Sequence, residues 1–298
     1  MRSALFERWL LRREFRLADH KGSSTMNGWN DGRDTRIARP GPNAATGLSR
    51  RAVLAGLFAT AGLAGCRSTT MSVEGLGLSD FSAEASHQYP VHGVDVAKYQ
   101  GDIDWEAARD GGVSFVWMKA TEGGDRLDDR FKEYWAKAAA ARIPRGAYHF
   151  WYHCRPGNEQ AEWFIENVPK QRGALPPVID VEWTPFSPTC TIRPPREEIV
   201  REVGKMSVML ERHYGQRPLL YIPIDVHRER LVGAFPNHEF WLRAVADHPD
   251  NVYENRRFRF WQYTATGSVP GIRGDVDRNA FAGTRDDWVK WLKVNLSK

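Results

Sequence analysis

The sequence predicts an α/β fold, an irregular TIM-like β/α barrel whose last third is poor in helix. Three observations point there. From about residue 89 to residue 222, short apolar runs alternate with stretches of helical periodicity, the rhythm of parallel strands with outer helices. After residue 240 the apolar runs continue with little helix between them. Asp95, Glu122, His149, Asp180, Glu182 and Asp277 fall at or just after the ends of predicted strands, and β/α barrels collect their functional groups at strand C-termini.

Each element has its own signal. Residues 91–97 read as the first strand, and 104–110 as a short helix with Asp104 as N-cap. Residues 114–120 (SFVWMKA) form a strand, and 128–141 a helix with Phe131, Trp135 and Ala138 at helical spacing. Residues 146–151 are a strand, and 156–168 a helix with Pro156 near its start. Residues 178–182 are a buried, acid-bearing strand. Residues 195–214 are a long amphipathic helix closed by Gly215, a C-cap residue. Strands follow at 219–222, 240–245, 259–263 and 274–276, then a last helix at 285–296. Trp105, Trp117 and Trp135 are expected in the core.

The first 66 residues are expected to be a leader rather than part of the fold. Arg50-Arg51 precedes a short Ala/Gly-rich apolar run ending at Leu63-Ala64-Gly65-Cys66. A basic start, a short apolar centre and a small-residue end make an export signal, and the run falls short of the ~20 residues a spanning helix needs. The twin arginine resembles a Tat signal, and Leu-Ala-Gly-Cys resembles a lipobox with Cys66 as the lipidated residue. Met26 is an alternative start. Arg67 rather than Asp after Cys66 points to the outer membrane. Residues 67–88, rich in Ser, Thr, Gly and Glu, read as a flexible tether, which leaves 89–298 as the barrel domain.

This division changes the reading of charge. The chain carries 42 basic and 37 acidic residues, net +5, but residues 1–66 hold 11 and 5 of them, and the remainder 31 and 32. The basic pI belongs to the leader, and no basic stripe for nucleic acid follows it. With Cys66 set aside, Cys154 and Cys190 form an even pair in an oxidising compartment, so a disulfide is expected. No Cys-x-x-Cys or His-Glu-x-x-His motif suggests a metal.

The chemistry concentrates in Pro176-Pro177-Val178-Ile179-Asp180-Val181-Glu182-Trp183. Side chains at i and i+2 of a strand leave one face, with stems ~6.5 Å apart. Two acids on an otherwise apolar strand have no structural purpose, because burying unpaired carboxylates is costly. Two carboxyls at about this spacing suit glycoside cleavage.

Several segments, in order, resemble glycoside hydrolase family 25, the Chalaropsis-type lysozymes. They are His92-Gly93-Val94-Asp95-Val96 with Tyr99-Gln100-Gly101 and Ile103-Asp104-Trp105, then Lys119-Ala120-Thr121-Glu122-Gly123, Gly146-Ala147-Tyr148-His149-Phe150, Asp180-Val181-Glu182, and Phe260-Trp261-Gln262-Tyr263 with Val276-Asp277-Arg278-Asn279. The resemblance spans residues 92–283. It implies a peptidoglycan hydrolase that cuts between N-acetylmuramic acid and N-acetylglucosamine and works without metal or organic cofactor; the leader independently places it outside the cytoplasm, in the periplasm and held to a membrane by its lipid, and a monomer is expected. It assigns Glu182 as general acid and Asp180 as an ionised partner that orients a 2-acetamido group. Asp95 and Asp277 then supply negative field for oxocarbenium charge. Tyr99, Tyr148, His149, Trp261 and Gln262 become candidate substrate contacts.

Bland readings stand beside these. Tyr148 and His149 also suit a satisfied core, Trp261 suits packing, and Lys119 with Glu122 suits a structural ion pair. Asp275 competes with Asp277. Direct displacement by water, with Asp180 or Asp95 as base, competes with acetamido participation. A barrel that binds cell wall without cutting it, and a glycosidase for chitin-like chains, are the alternative functions.

Overall fold

The structure is a computed structural model that describes residues 84–254 and 256–297. The leader, Cys66 and residues 67–83 of the tether lie outside the described residues.

Nine strands form one sheet: β1 (His92–Val96), β2 (Val113–Glu122), β3 (Arg126–Leu127), β4 (Arg145–Phe150), β5 (Val178–Asp180), β6 (Leu219–Pro223), β7 (Phe240–Arg243), β8 (Phe260–Val269) and β9 (Ile272–Phe281). Eight of them close into a barrel in the order β1-β2-β4-β5-β6-β7-β8-β9, with β9 returning to β1, while β3 pairs only with β2. All barrel pairings are parallel except those of β9, which runs antiparallel to both β8 and β1. That reversal accounts for the direct β8–β9 connection, because an antiparallel neighbour is reached by a hairpin and needs no crossover helix.

The main helices are α1 (Trp105–Asp110), α2 (Phe131–Ala140), α3 (Gly157–Asn167), α4 (Arg196–Tyr214) and α5 (Arg285–Asn295). Their ends follow the sequence signals. Asp104 caps α1 by accepting from the Ala107 N–H at 3.0 Å, and Gly215 closes α4 in the left-handed region at φ 72°. Thr284 and Asp287 make a reciprocal capping box at the start of α5.

Two differences from expectation have physical causes. The segment expected as a strand at 274–276 is part of a long hairpin whose tip packs on the β1–α1 connection through an Ile103–Ile272 bridge. Gly271 makes this contact feasible, since it sits at φ +81° and a Cβ there would stand 2.2 Å from the Asp104 carbonyl oxygen. The folded domain also begins before residue 89. Ser86 is buried and Ala85 packs against the core, so the end of the expected tether belongs to the barrel.

The barrel interior is layered. Phe115, Val178, Leu219, Phe260 and Phe281 fill one end, and Trp117, Tyr148, Tyr221 and Trp241 lie in the same cluster. Trp288 and Trp291 on one face of α5 close that end, with ring centroids 5.3 Å from Phe115 and 5.2 Å from Phe260 respectively. Trp105 and Trp135 are buried with the outer core between strands and helices. Apolar packing therefore occupies the N-terminal end of the strands, and the polar side chains are left to the C-terminal mouth.

Cys154 and Cys190 are joined by a disulfide, Cα–Cα 5.7 Å, as the cysteine count predicts. The bridge ties the loop after β4 to the loop after Glu182, over a small cluster of Phe150, Tyr152 and Cys190. Non-reducing mass spectrometry should find this one crosslink. Cys190→Ala should cost about 2–4 kcal/mol of unfolding free energy, from loss of loop closure. Denaturation of the variant at unchanged stability would contradict the role given to the bridge.

Candidate active site

The mouth of the barrel is built from the residues that follow the inner aromatic layer on each strand. Asp95 on β1, Asp180 at the end of β5, Glu182 two residues further on and Asp277 on β9 are all at most 5 % exposed. Asp95 lies opposite Asp277 in the β1–β9 register. Asp275, its competitor in the sequence, is exposed on the projecting part of the hairpin, so Asp277 is the acid of the mouth.

Asp95 is held by a relay. Its Oδ2 accepts from Gln262 Nε2 at 2.9 Å and from Asn279 Nδ2 at 2.8 Å. The amide oxygens are taken by other donors: Tyr221 OH donates to Gln262 Oε1 at 2.9 Å, and Trp241 Nε1 to Asn279 Oδ1 at 2.7 Å. Each amide is thus forced to turn its NH2 towards Asp95. Burial pushes the Asp95 carboxyl up to about 6, against the pull of Asn279, Gln262 and Arg243.

Asp180 and Glu182 act on each other through their charges. Burial, and then the neighbouring Glu182 carboxylate, raise the Asp180 carboxyl well above the ordinary range, opposed by the Lys119 ammonium. This departs from the expectation that Asp180 is the ionised member. Burial and the like charge of Glu182 therefore both favour the protonated form of Asp180. Asp180 Oδ1 has no hydrogen-bond partner among the protein atoms. The Glu182 backbone is pinned from behind: its carbonyl oxygen accepts from His153 Nε2 at 3.1 Å, while His153 Nδ1 accepts from Trp151 Nε1 at 3.2 Å. Both ring nitrogens then have fixed roles, and burial lowers His153 to about 4, so it is neutral.

The other expected residues separate into groups. Tyr148 stands on the inner face, 4 % exposed, and burial followed by the Asp95 and Asp180 charges raises its phenol well above the usual value. No hydrogen bond to its hydroxyl is found among the described residues. Tyr99 is half-buried beside β1. Gln262 is 1 % exposed and serves Asp95 instead of presenting itself to a substrate.

Two candidate contacts are corrected. His149 is fully buried on the outer side of β4, with Nδ1 2.7 Å from Thr121 Oγ1 and Nε2 3.0 Å from Gln160 Oε1, and burial lowers it to about 4. It fills a core position because neighbours in a strand face opposite ways, and Tyr148 takes the inner face. Trp261 is likewise fully buried, donates Nε1 to the Ala244 carbonyl at 2.7 Å and packs against Tyr89 and His248. It is no sugar platform. Lys119 and Glu122 form an ion pair of 2.7 Å, in which Tyr152 OH also donates to Glu122; burial works against the charged glutamate, but Lys119 and Tyr152 hold it down at about 2.

Sequence reasoning missed Tyr221, Trp241, Arg243, Asn279 and His153. The first three share a signal: each continues a period-2 alternation from an inward residue, as Tyr221 follows Leu219 and Arg243 follows Trp241. His153 had none, since its role depends on a carbonyl 29 residues away.

A cavity of about 430 Å³ lined by His227, Phe240, Arg256 and Arg259 includes none of these mouth residues. Among the described residues no group of three or more His, Cys, Asp or Glu could hold a metal ion.

The buried Asp95 makes a stability prediction. Its folded carboxyl is raised, so its contribution is fully present below the unfolded value near 4 and is lost as pH rises through about 6. Asp95→Asn mimics the protonated form. It should match the parent near pH 4 and exceed it at pH 7 by about 2–3 kcal/mol, by the linkage of a shift of this size. Urea denaturation at the two pH values checks this, and a variant no more stable than the parent at pH 7 would refute it.

The model of Glycosyl hydrolases family 25 matches residues 94–272. The chain is 32 % identical over 205 residues to Lysozyme M1 of Streptomyces globisporus, covering 65 % of this chain and 68 % of that one. It is 32 % identical over 228 residues to an N,O-diacetylmuramidase of Chalaropsis sp, covering 70 % and 98 %. Among solved structures, a family 25 glycosyl hydrolase from Bacillus anthracis superposes with a TM-score of 0.63 at 37 % identity, covering 68 % of this chain and 94 % of that one.

Proposed function

The chain belongs to glycosyl hydrolases family 25, and from that premise we propose that it hydrolyses peptidoglycan between N-acetylmuramic acid and N-acetylglucosamine, with Glu182 as general acid and Asp180 assisting the 2-acetamido group. The observation that carries this reading is the gathering of four buried acids, Asp95, Asp180, Glu182 and Asp277, at the barrel mouth, where burial and the Glu182 charge raise the Asp180 carboxyl.

A glycosidic oxygen leaves only if it is protonated as its bond to C1 breaks. In the free site burial and the Glu182 charge favour the protonated form of Asp180. When the acetamido N–H of the sugar donates to the Asp180 carboxyl group, the ionised form of Asp180 is favoured and its proton passes to Glu182. Glu182 then protonates the leaving oxygen while the acetamido carbonyl oxygen bonds to C1. Water opens the resulting ring, giving its proton back to Glu182. Participation of this kind is a recognised departure from the two-carboxylate scheme. Asp95, aimed by its amide relay, and Asp277 oppose the positive charge that grows on the ring. Tyr148 and Tyr99 contact the glycan.

The relatives named lysozyme and muramidase support the substrate, and an export signal before Cys66 supports a periplasmic protein held by a lipid at Cys66 to a membrane, the outer one being favoured by Arg67. No helix of the described residues is long and apolar enough to cross a membrane.

The test is release of new reducing ends from purified peptidoglycan, followed by borohydride reduction. Muramitol is expected. Glucosaminitol would overturn the bond assignment, and no release would overturn the hydrolase reading.

A further inference from the structure

We propose that Arg243 is a specificity-determining residue that grips a carboxylate on the sugar, the free lactyl carboxylate of N-acetylmuramic acid. The inference rests on the muramidase reading above and concerns the same site.

Arg243 is the last residue of β7. Trp241, two residues earlier, points into the barrel and donates across it to Asn279, so Arg243 leaves the same inner face one layer nearer the mouth. Its neighbour in the β7–β8 register is Gln262, whose amide holds Asp95. The side chain is 8 % exposed. Yet its guanidinium makes no hydrogen bond or ion pair to any described residue. None of its nitrogens is among the sealed, unpartnered atoms of the described residues, so the donors are not enclosed, and their place at the end of β7 puts them at the mouth.

An arginine in that condition needs explaining. Five donors in a rigid fork are normally paired when buried, because leaving a charge buried without a partner is expensive. Glu182 and Asp277 act on Arg243 through space, which lowers the cost of its charge without using its donors. The other buried cation of the mouth, Lys119, is already hydrogen-bonded to Glu122.

The chemistry sharpens the point. Cleavage builds positive charge on the sugar ring, and a free guanidinium in the same mouth opposes that charge. The opposition disappears if the substrate brings its own anion. A planar fork facing an open cleft matches a carboxylate, which it binds by two parallel N–H···O bonds. Of the two sugars in the glycan, only N-acetylmuramic acid has a carboxyl function, on its lactyl ether. Where a stem peptide is attached, that group is an amide and offers a single neutral acceptor. Arg243 therefore favours glycan whose peptides have been removed, which places this enzyme after a reaction that hydrolyses the lactyl amide.

The test separates binding from turnover. N-acetylmuramic acid and its lactyl amide are titrated calorimetrically into the parent, Arg243→Gln and Arg243→Lys, with a thermal melt of each variant to confirm folding. The parent should bind the acid about 10- to 100-fold more tightly than the amide, the size of a charge-assisted pair. Arg243→Gln should abolish the preference and Arg243→Lys restore part of it. An equal affinity for acid and amide in the parent, or a preference that survives in a folded Arg243→Gln protein, overturns the proposal. Loss of the preference with glycan cleavage intact would leave the muramidase reading standing. A preference in a protein that cuts no glycan would sink that reading alone.

Discussion

Glu182→Gln should reduce hydrolysis of peptidoglycan by about 10³-fold or more, near the upper end of what a positioned general acid supplies. The substitution keeps the shape of the side chain and removes its proton. It also leaves the local backbone alone, because the bond that pins this segment runs from His153 to the Glu182 carbonyl oxygen and not to the carboxyl group. Loss of activity can then be read as chemistry. A further measurement separates acid catalysis from binding. An aryl glycoside with an acidic phenol departs without a proton, so the variant should lose far less on it than on glycan. Equal losses on both would assign Glu182 to binding. Unchanged activity on both would remove it from the site.

How far such an assignment was legible in the sequence depended on whether the signal was local. The Asp180-Val181-Glu182 spacing put two acids at one strand end, and strand ends in a barrel face the mouth. Asp104, Gly215 and the α5 cap were readable because a helix terminus is satisfied by residues within a turn of it. The length of the β8–β9 hairpin was not readable. Thr264, Thr266, Gly267 and Ser268 weaken the apolar alternation there, and what extends the strands is their pairing with each other across Gly271, a contact between segments. The same division explains the two corrected contacts. His149 and Tyr148 are adjacent and equally suited to a sugar, and only the strand's phase decides which enters the barrel. Trp261 sits in a motif beside Gln262, and phase again sends one outward to the core and the other inward to Asp95. The relay from Tyr221 and Trp241 through two amides to Asp95 joins strands up to 184 residues apart, a distance no local pattern can report.

Asp180→Asn should lower kcat by about 10²–10³-fold, the magnitude lost when a preorganised group facing a developing charge is removed. Asparagine still offers an oxygen to the acetamido N–H, so substrate binding should change little and the loss should fall on kcat. What disappears is the negative charge that the acetamido group needs as its carbonyl oxygen attacks C1 and the ring it forms becomes cationic. The pH profile carries an independent sign. In the parent each carboxylate favours the protonated form of the other, so an acid proton stays bound to higher pH. Without the second carboxylate the remaining acid loses its proton earlier. The alkaline limb of kcat/KM should therefore move to lower pH in the variant. Added azide distinguishes the competing route. If Asp180 instead deprotonates an attacking water, azide needs no base and should restore turnover to Asp180→Asn, giving a glycosyl azide of inverted configuration. If the acetamido group itself attacks, azide should leave the variant slow, and the parent's fresh product, observed by NMR, should retain the anomeric configuration of the bond that was cut.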